Sequence, residues 1–430
     1  MSAALALYRT LTAVAEVAAL PAAWAARAQG GDRAGRFGYG DVRGATWIHA
    51  ASVGEVSAAA PLVRAIGTHR PADDRIVSAT TVTGLAAWRR ELERRPPGGA
   101  PVAVAAWPID YPRAVARAFD RRRPRRLLIT ETEIWPNVLA TCASRGVRVA
   151  FANARLSEGR WANTRWLTPV VAPLLSRVSA CVTQTEADRE RWAELGVPRE
   201  ALTVAGNTKY DLLQPAPDAP ARAAARARFR VPEDAIVWTW GSVRPGEESA
   251  LIDAARAVAA SPRRVVILVA PRHPDQAWEI RTALTRARIA VEDWRPAGSS
   301  APFPDGAAAV VWVPVVGVLR DLYELSDAAV VGGTFAPFGG HNAAEPAALG
   351  VPVVVGPHHA AVQDVVQALV ARGGGRVAVS GREAADVVTR WIASPEAHEA
   401  ARVAARRAVE DLAGASARTL GFLEARGFWG

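Results

Sequence analysis

The chain has 430 residues, a length that predicts two or three domains and excludes peptide hormones and other mini-proteins. Half of the residues are hydrophobic, 22% are charged, and 34 Gly and 30 Pro are scattered without a period, which excludes collagen, coiled coils and wholesale disorder. The 52 basic residues exceed the 42 acidic ones to give a net charge of +10, which indicates an anionic partner such as a phosphorylated ligand, an acidic membrane surface or a nucleic acid.

The N-terminal segment, residues 1–30, is rich in Ala, Leu and Val and long enough to cross a bilayer, but charged residues and Pro21 interrupt it. A helix here is amphipathic, with Arg9, Thr12 and Glu16 on one face and Leu7, Leu11, Val14 and Ala18 on the opposite face. We predict that this helix lies on a membrane rather than spanning it. The alternative is a first helix docked on its own domain.

After residue 30, short β-branched runs alternate with Ala- and Arg-rich helical stretches, which predicts parallel sheets with crossover helices. The predicted strands are Thr46–Val53, Ile76–Thr81, Val102–Trp107, Arg126–Thr130, Val147–Asn153, Val178–Gln184, Leu202–Ala205, Ile236–Gly241, Arg264–Ala270, Ile289–Glu292, Ala308–Val313, Ala328–Gly332, Val351–Val355 and Arg376–Val379. Residues 213–225 have three prolines in six residues and are predicted to be a linker. We therefore predict doubly wound α/β domains over residues 31–212 and 226–430, with the last helices free to cross back. Ligands should bind in the crevice beyond the carboxyl ends of the strands.

Acidic residues follow two strands of the first domain. Glu55 comes after a turn that Gly54 should tighten, and Glu131 and Glu133 follow Arg126–Thr130. Carboxylates at the end of a buried strand are costly unless they are paired or used, although helix capping is an alternative role for each. Neither cluster has the His or Cys neighbours of a metal or nucleophile site, and we interpret His49 as a core histidine.

Lys209 is the single lysine among the 52 basic residues, and the other 51 are arginines. Because the chain uses Arg wherever a positive charge alone is enough, Lys209 is a candidate for a site that needs a compact ammonium group. The alternative is that this single lysine is present by chance. Cys142 and Cys181 show no ligand spacing, so we expect a cytosolic chain without structural zinc.

The second domain contains a glycine-rich turn that begins at Val330–Thr334 and continues through Gly339 to Asn342. A strand, a glycine-rich turn and a helix start can aim backbone N–H groups at a phosphate, and Glu345 could accept hydrogen bonds from ribose hydroxyls. Arg272, directly after a strand, could meet a base or a phosphate. The chain has neither a P-loop nor a dinucleotide-binding fingerprint after the first strand.

Six segments, in this order, resemble the signature segments of 3-deoxy-D-manno-octulosonic acid (Kdo) transferases. They are HAASVGEV at 49–56, ETEIWPN at 131–137, NARLSE at 153–158, GNTKYD at 206–211, PRHP at 271–274 and GGHNAAEPAALGVPVVVGPH at 339–358. The resemblance implies a GT-B glycosyltransferase with two Rossmann-like domains facing a cleft, the first for the acceptor and the second for a CMP-sugar. It implies transfer of Kdo from CMP-Kdo to a lipid A precursor (lipid IVA) at the cytoplasmic face of the inner membrane, with no metal ion or other cofactor.

The resemblance also implies roles for individual residues. Glu55 matches the general base, and Glu131 and Lys209 match positions that stabilise the transition state. The residues implied for CMP-Kdo binding are Pro271, Arg272, Val316, Gly317, Val318, Asn342, Ala343, Ala344 and Glu345, and those implied for the acceptor are Ser52, Gly54 and Arg155. The chain departs from the family pattern at Phe338, where relatives often have a basic residue, and at Ala343-Ala344.

Two other functions remain open from the sequence. One is a different GT-B enzyme, such as a glycolipid transferase or an epimerase that uses a UDP-sugar. The other is a basic membrane- or nucleic-acid-binding protein without catalysis, against which the dispersed arginines and the lack of interleaved aromatic residues argue.

Overall fold

The structure is a computed structural model that describes residues 2–40, 42–213, 219–229, 231–261, 263–294 and 308–430. The chain divides into two units, Met1–Leu212 with Ala413–Gly430, and Leu213–Leu412. Each unit, in its described residues, is built on a seven-stranded parallel sheet with helices between the strands, which confirms the predicted α/β class.

The first unit begins with three helices and then alternates strands and helices. Its elements are α1 (Ala3–Ala18), α2 (Leu20–Gln29), α3 (Gly31–Arg36), β1 (Thr46–His49), α4 (Val53–His69), β2 (Arg75–Ala79), α5 (Val82–Arg94), β3 (Val102–Ala106), α6 (Pro112–Arg122), β4 (Arg126–Thr130), α7 (Pro136–Arg145), β5 (Arg148–Ala154), α8 (Glu158–Thr164), α9 (Thr168–Leu175), β6 (Ala180–Thr183), α10 (Glu186–Glu194) and β7 (Leu202–Val204). Short 3₁₀ helices cover Arg165–Leu167, Arg199–Ala201 and Thr208–Leu212.

The second unit repeats this alternation. Its elements are α11 (Ala219–Arg228), β8 (Ile236–Val243), α12 (Glu248–Ala259), β9 (Val265–Pro271), α13 (Trp278–Arg286), β10 (Val291–Asp293), β11 (Ala308–Trp312), α14 (Leu319–Leu325), β12 (Ala328–Val331), α15 (Ala344–Ala348), β13 (Val353–Val355), α16 (Gln363–Arg372), β14 (Gly375–Val377), α17 (Gly381–Trp391) and α18 (Pro395–Leu412). Short 3₁₀ helices cover Pro274–Gln276 and Ala360–Val362, and the last helix, α19 (Ala415–Ala425), belongs to the first unit.

All the predicted strands are present. The largest difference is at β1, which ends at His49 because Ser52 is already the N-cap of α4. Successive residues of a strand point to opposite faces of its sheet, so Trp47 and Ile48 of β1 belong to separate buried clusters, one on each face. Apolar residues on both faces explain why continuous β-branched runs predicted these strands.

Each sheet contains a point where the strand order reverses, and this point is where ligands bind in doubly wound folds. The first sheet has the order β3-β2-β1-β4-β5-β6-β7, with the switch between β1 and β4. The second has the order β10-β11-β9-β8-β12-β13-β14, with the switch between β8 and β12. Residues directly after β1, β4, β8 and β12 are therefore the candidates for function.

The predicted linker, residues 213–225, differs from the structure. Residues 214–218 lie outside the described residues, and α11 covers the rest from Ala219. A helix forms there because Pro220 is tolerated in the first turn and the residues after it are almost all Ala and Arg, which favour helix. The prediction for residues 226–430 allowed the last helices to cross back, and α19 does belong to the first unit, where Leu423 packs in the core.

The N-terminal segment forms two helices rather than the single predicted helix, and α1 and α2 meet at an angle of 62°. The polar face of α1 docks on its own unit: Glu16 is buried and accepts a hydrogen bond from Arg113 N at 2.9 Å. The aliphatic face points outward, and Leu7, Leu11 and Val14 are 61%, 61% and 65% exposed. The described residues contain no single helix that is long and apolar enough to cross a bilayer. Only the bent pair α1–α2 meets these two criteria, length and composition, when its helices are taken together.

Candidate active site

Three glutamates gather at the switch point of the first sheet. Glu55 lies in the first turn of α4, directly after β1, and Glu131 and Glu133 directly follow β4. Since β1 and β4 are paired neighbours, their ends bring the three carboxylates close enough for the charges of Glu133 and Glu131 to act on Glu55. The sequence predicted these positions after separate strands, and the sheet order brings them together.

Glu55 has the properties of both a helix cap and a base. Its Oε2 accepts a hydrogen bond from Ala51 N at 2.8 Å, and its Oε1 accepts one from Ser52 Oγ at 3.3 Å. Burial raises the pKa of Glu55 from 4.5 to about 7, with smaller contributions from the charges of Glu133 and Glu131. The side chain is thus ionised in only part of the molecules near neutral pH, where a general base works best.

Glu131 and Lys209 form an ion pair, with Lys209 Nζ 3.4 Å from Glu131 Oε1. Their side chains are 40% (Lys209) and 21% (Glu131) exposed, so both groups remain reachable by a ligand. Glu131 has a left-handed φ of 57°, which is uncommon for a residue with a side chain and is often found at functional sites. The two residues implied for transition-state stabilisation are therefore neighbours in the fold.

The loop that carries Lys209 is held by asparagines. Lys209 N donates to Asn207 Oδ1 at 3.0 Å, and Thr208 N donates to Asn153 Oδ1 at 3.0 Å. Asn153 itself has a left-handed φ of 52° at a register shift between β5 and β6. The NARLSE segment thus positions the GNTKYD segment.

Glu133 contacts Trp135 and His49. Its Oε2 accepts a hydrogen bond from Trp135 Nε1 at 3.1 Å and lies 3.9 Å from His49 Nε2. Burial raises the pKa of Glu133. His49 is fully buried and its ring stacks on Trp107, with 3.7 Å between the ring centroids, so the prediction of a core histidine is confirmed. Burial also lowers the pKa of His49 to about 3.

The acceptor candidates Ser52 and Gly54 flank Glu55, and Arg155 is exposed after β5. The prediction that Gly54 tightens a turn is wrong, because Gly54 lies within α4 and does not have a positive φ. A Cβ at Gly54 would meet no atom within 4 Å, so the space next to Glu55 is open.

The glycine-rich turn after β12 differs from the prediction in what its N–H groups bind. Gly333 N, Thr334 N and Phe335 N donate to the carboxylate of Glu247 at 2.8, 3.0 and 2.9 Å. Arg244 N donates to the same carboxylate at 2.9 Å. The expectation that these turn N–H groups face a phosphate is therefore wrong, since a buried carboxylate of the chain already occupies them.

The residues implied for CMP-Kdo binding all lie in the second unit. Pro271 and Arg272 stand at the end of β9. Val316 and Gly317 are exposed in the loop between β11 and α14, and Val318, the N-cap of α14, is partly buried. Asn342 is exposed and precedes α15, where Ala343 is the N-cap and Ala344 and Glu345 form the first turn. Burial raises the pKa of Glu345, and the positive charge of Arg320 opposes this effect.

Sequence reasoning gave no role to Glu247 or Asp211. Glu247 joins the turns after β8 and β12, and Asp211 accepts hydrogen bonds from Gly414 N and Ser416 N, both at 2.6 Å, at the start of α19. Asp211 is the last residue of the GNTKYD segment and Glu247 lies in the turn after β8, but most of their hydrogen-bond partners are far away along the chain. Within the described residues, no group of three His, Cys, Asp or Glu side chains could hold a metal ion.

The family described as "3-Deoxy-D-manno-octulosonic-acid transferase (kdotransferase)" matches residues 28–212. The 3-deoxy-D-manno-octulosonic acid transferase of Bordetella pertussis is 34% identical over 397 residues, which cover 91% of this chain and 90% of the relative. That of Haemophilus influenzae is 30% identical over 73% of this chain and 70% of the relative.

The crystal structure of Anabaena Alr3699/HepE in complex with UDP is similar in fold, with a TM-score of 0.59 at 13% identity over 88% of this chain and 99% of that chain. A glycosyltransferase from Rickettsia africae matches with a TM-score of 0.58 at 10% identity, over 88% of this chain and 98% of that one. These likenesses confirm the expected GT-B fold class. The identity to the Bordetella and Haemophilus proteins, which covers most of this chain and of each relative, shows that the chain belongs to the 3-deoxy-D-manno-octulosonic acid transferase family.

Proposed function

We propose that this protein transfers Kdo from CMP-Kdo to a hydroxyl group of a lipid A precursor, lipid IVA, with Glu55 as the general base. Family membership supports a glycosyltransferase that moves Kdo in lipopolysaccharide synthesis. The observation that carries the finer proposal is the half-buried Glu55 carboxylate, whose pKa is raised to about 7, beside the Glu131–Lys209 ion pair.

In the proposed reaction, Glu55 removes the proton from the acceptor hydroxyl as its oxygen forms a bond to the anomeric carbon of Kdo. The bond between that carbon and the phosphate oxygen breaks, and CMP leaves with the bonding electrons. Lys209 stabilises the negative charge of the donor as this bond breaks, because an ammonium is a compact cation and Glu131 holds it at 3.4 Å. The proton on Glu55 then passes to solvent.

We further propose that the reaction needs no divalent metal ion. CMP leaves as a phosphate monoester anion, so its negative charge can be balanced by cationic side chains rather than by a metal. Arg272, at the end of β9, is the candidate cation in the second unit, and Glu345 is the candidate acceptor for the ribose hydroxyls.

The outward aliphatic face of α1 supports a proposal on where the protein is located in the cell. Soluble surfaces rarely expose a continuous aliphatic stripe, yet Leu7, Leu11 and Val14 lie outward on α1, and Trp24 on α2 is 75% exposed. The protein as a whole has a net charge of +10. The aliphatic stripe and this charge together fit binding to the cytoplasmic face of an inner membrane, where the acceptor lipid is anionic. Replacing both Leu11 and Val14 by Asp should abolish sedimentation with anionic vesicles and leave CMP binding unchanged; unchanged sedimentation would refute the location.

The decisive experiment follows CMP release from CMP-Kdo by the detergent-solubilised protein, with a tetra-acylated lipid A precursor and EDTA. Turnover that requires both substrates and disappears in Glu55→Ala, with CMP affinity retained, supports the proposal. Turnover of a UDP-sugar instead supports the alternative GT-B enzyme. Full activity of Glu55→Ala would exclude Glu55 as the base.

A further inference from the structure

Basic side chains gather at the switch point of the second sheet. Arg244 directly follows β8, and Arg272 directly follows β9. Val243 and Pro271 are register partners, and Arg272 N donates to Val243 O at 3.0 Å, so the two arginines follow paired residues on adjacent strand ends. His341 is contributed by the turn after β12, which is the neighbour of β8 on the other side.

The backbone before Arg244 is built irregularly. The pairing of β8 with β9 shifts between Gly241 and Val243, and Ser242 between them has a left-handed φ of 60°. A Cβ at Gly332 would lie 2.4 Å from Ser242 O, so only glycine fits where β12 passes this bulge. Bulges of this kind redirect the side chains that follow them and are common beside functional sites.

Phe338 supports the Arg244 guanidinium. Arg244 Cζ lies 4.2 Å from the centroid of the Phe338 ring, and that ring is 45% exposed. Stacking positions the guanidinium by one face and leaves its terminal N–H groups available to donate from its edge.

The cluster also lacks negative partners. Among the described residues, no carboxylate forms an ion pair with Arg244 or Arg272, and Arg244 Nε is buried without a hydrogen-bond partner. By contrast, Arg222 and Arg226 of the same unit both pair with Asp327.

His341 completes the cluster as a neutral group. Its ring packs against Gly333, where a Cβ would lie 2.9 Å from His341 Cδ2, and its Nε2 is buried without a partner. Burial and the charges of Arg272 and Arg244 lower the pKa of His341 to about 4. At neutral pH the cluster therefore contains two unpaired guanidinium groups and an uncharged imidazole, an arrangement that favours an anion.

We propose that Arg244, stacked on Phe338, binds an anionic group of the nucleotide-sugar donor together with Arg272. The inference rests on the proposed function and adds to it a donor-binding residue in the turn after β8. The shared chemistry is an oxyanion that a guanidinium can bind through two parallel hydrogen bonds, either the phosphate of CMP or the carboxylate of Kdo.

The test measures calorimetric binding of CMP and cytidine and the KM for CMP-Kdo. The variants are Arg244→Gln, Arg244→Lys and Phe338→Leu, with Arg281→Gln as the control, because Arg281 is an arginine of the same unit already paired with Asp293 at 2.7 Å. If Arg244 binds the phosphate, Arg244→Gln should weaken CMP binding at least tenfold and leave cytidine binding unchanged. Arg244→Lys should recover part of the loss, Phe338→Leu should show a smaller loss, and Arg281→Gln none.

If the bound group is the carboxylate, CMP affinity stays constant in Arg244→Gln and the KM for CMP-Kdo rises at least tenfold. The inference is overturned if neither quantity changes, or if CMP and cytidine binding fall equally, which would mean damage to the fold. A wild-type protein that does not bind CMP refutes the proposed donor instead. In that case the role of Arg244 as an anion-binding residue is supported if UMP or inorganic phosphate raises the Tm of the wild type but not that of Arg244→Gln. No rise in either protein overturns the inference.

Discussion

Replacement of Glu55 by Gln separates the charge of this side chain from its size and tests the proposed base directly. The pKa of Glu55 lies at about 7 in the folded protein and at 4.5 in an ordinary environment. The folded state therefore binds the proton more tightly than the unfolded chain. The stability that this group contributes is present below pH 4.5 and is lost as the pH rises through about 7.

The size of this effect follows from the shift in pKa. At about 1.4 kcal/mol per pKa unit, the difference between 4.5 and about 7 sets an upper limit of about 3.5 kcal/mol. Glu55 is partly exposed, so solvent screening reduces the expected effect to about 1–2 kcal/mol. Glu55→Gln should thus match the wild type near pH 4.5 and be more stable by about 1–2 kcal/mol at pH 8, because Gln can still accept the hydrogen bond from Ala51 N.

The assay is unfolding calorimetry from pH 4.5 to 8 together with kcat. Wild-type kcat should rise with pH through about 7, and Glu55→Gln should lower kcat by at least about 100-fold. Glu383→Gln is a matched control, since Glu383 reaches back from α17 to Val379 N at 2.8 Å as Glu55 does to Ala51 N, yet it lies outside the carboxylate cluster. A stability difference that does not grow with pH, or a Glu55→Gln protein with wild-type kcat, would refute the reasoning.

Three further substitutions test the roles of Lys209, Glu247 and Asp211. Lys209→Met should lower kcat by about 100-fold with CMP affinity unchanged, whereas equal loss of both would contradict a role in the transition state. Glu247→Gln should destabilise the second unit by about 2–4 kcal/mol and weaken CMP binding, because an amide cannot accept hydrogen bonds from all four N–H groups. Calorimetry of the unfolding transitions checks the loss of stability. Asp211→Ala should cost about 1–2 kcal/mol by removing the hydrogen bonds to the start of α19, and an unchanged Tm would show that these contacts contribute nothing.

The position of each acidic candidate could be predicted from local sequence. Glu55 and Glu131 follow apolar runs that are buried on both faces, and residues after such strands face ligands in doubly wound sheets. The ordered segments around these residues then pointed to the family. The proximity of Glu131 to Lys209 was not predictable in this way, because it depends on β4 and β5 being neighbours and on the asparagine contacts that position the GNTKYD loop.

The glycine-rich turn shows why local pattern was insufficient in the second unit. Its small residues indicated backbone N–H groups aimed at an anion, but that anion is the carboxylate of Glu247, which lies 86 residues before Gly333. Only the pairing of β8 with β12 brings the carboxylate to that turn.

Local sequence by itself determined the alternation of strands and helices, since burial on both faces and helical amphipathicity are properties of neighbouring residues. It also determined that α1 has one aliphatic face. Only the tertiary structure decided that the polar face is the one that docks, through the buried Glu16 and its bond from Arg113 N, and that α19 returns to the first unit. The physical reason is that a buried charge must find partners, and those partners are supplied by segments far away in the chain.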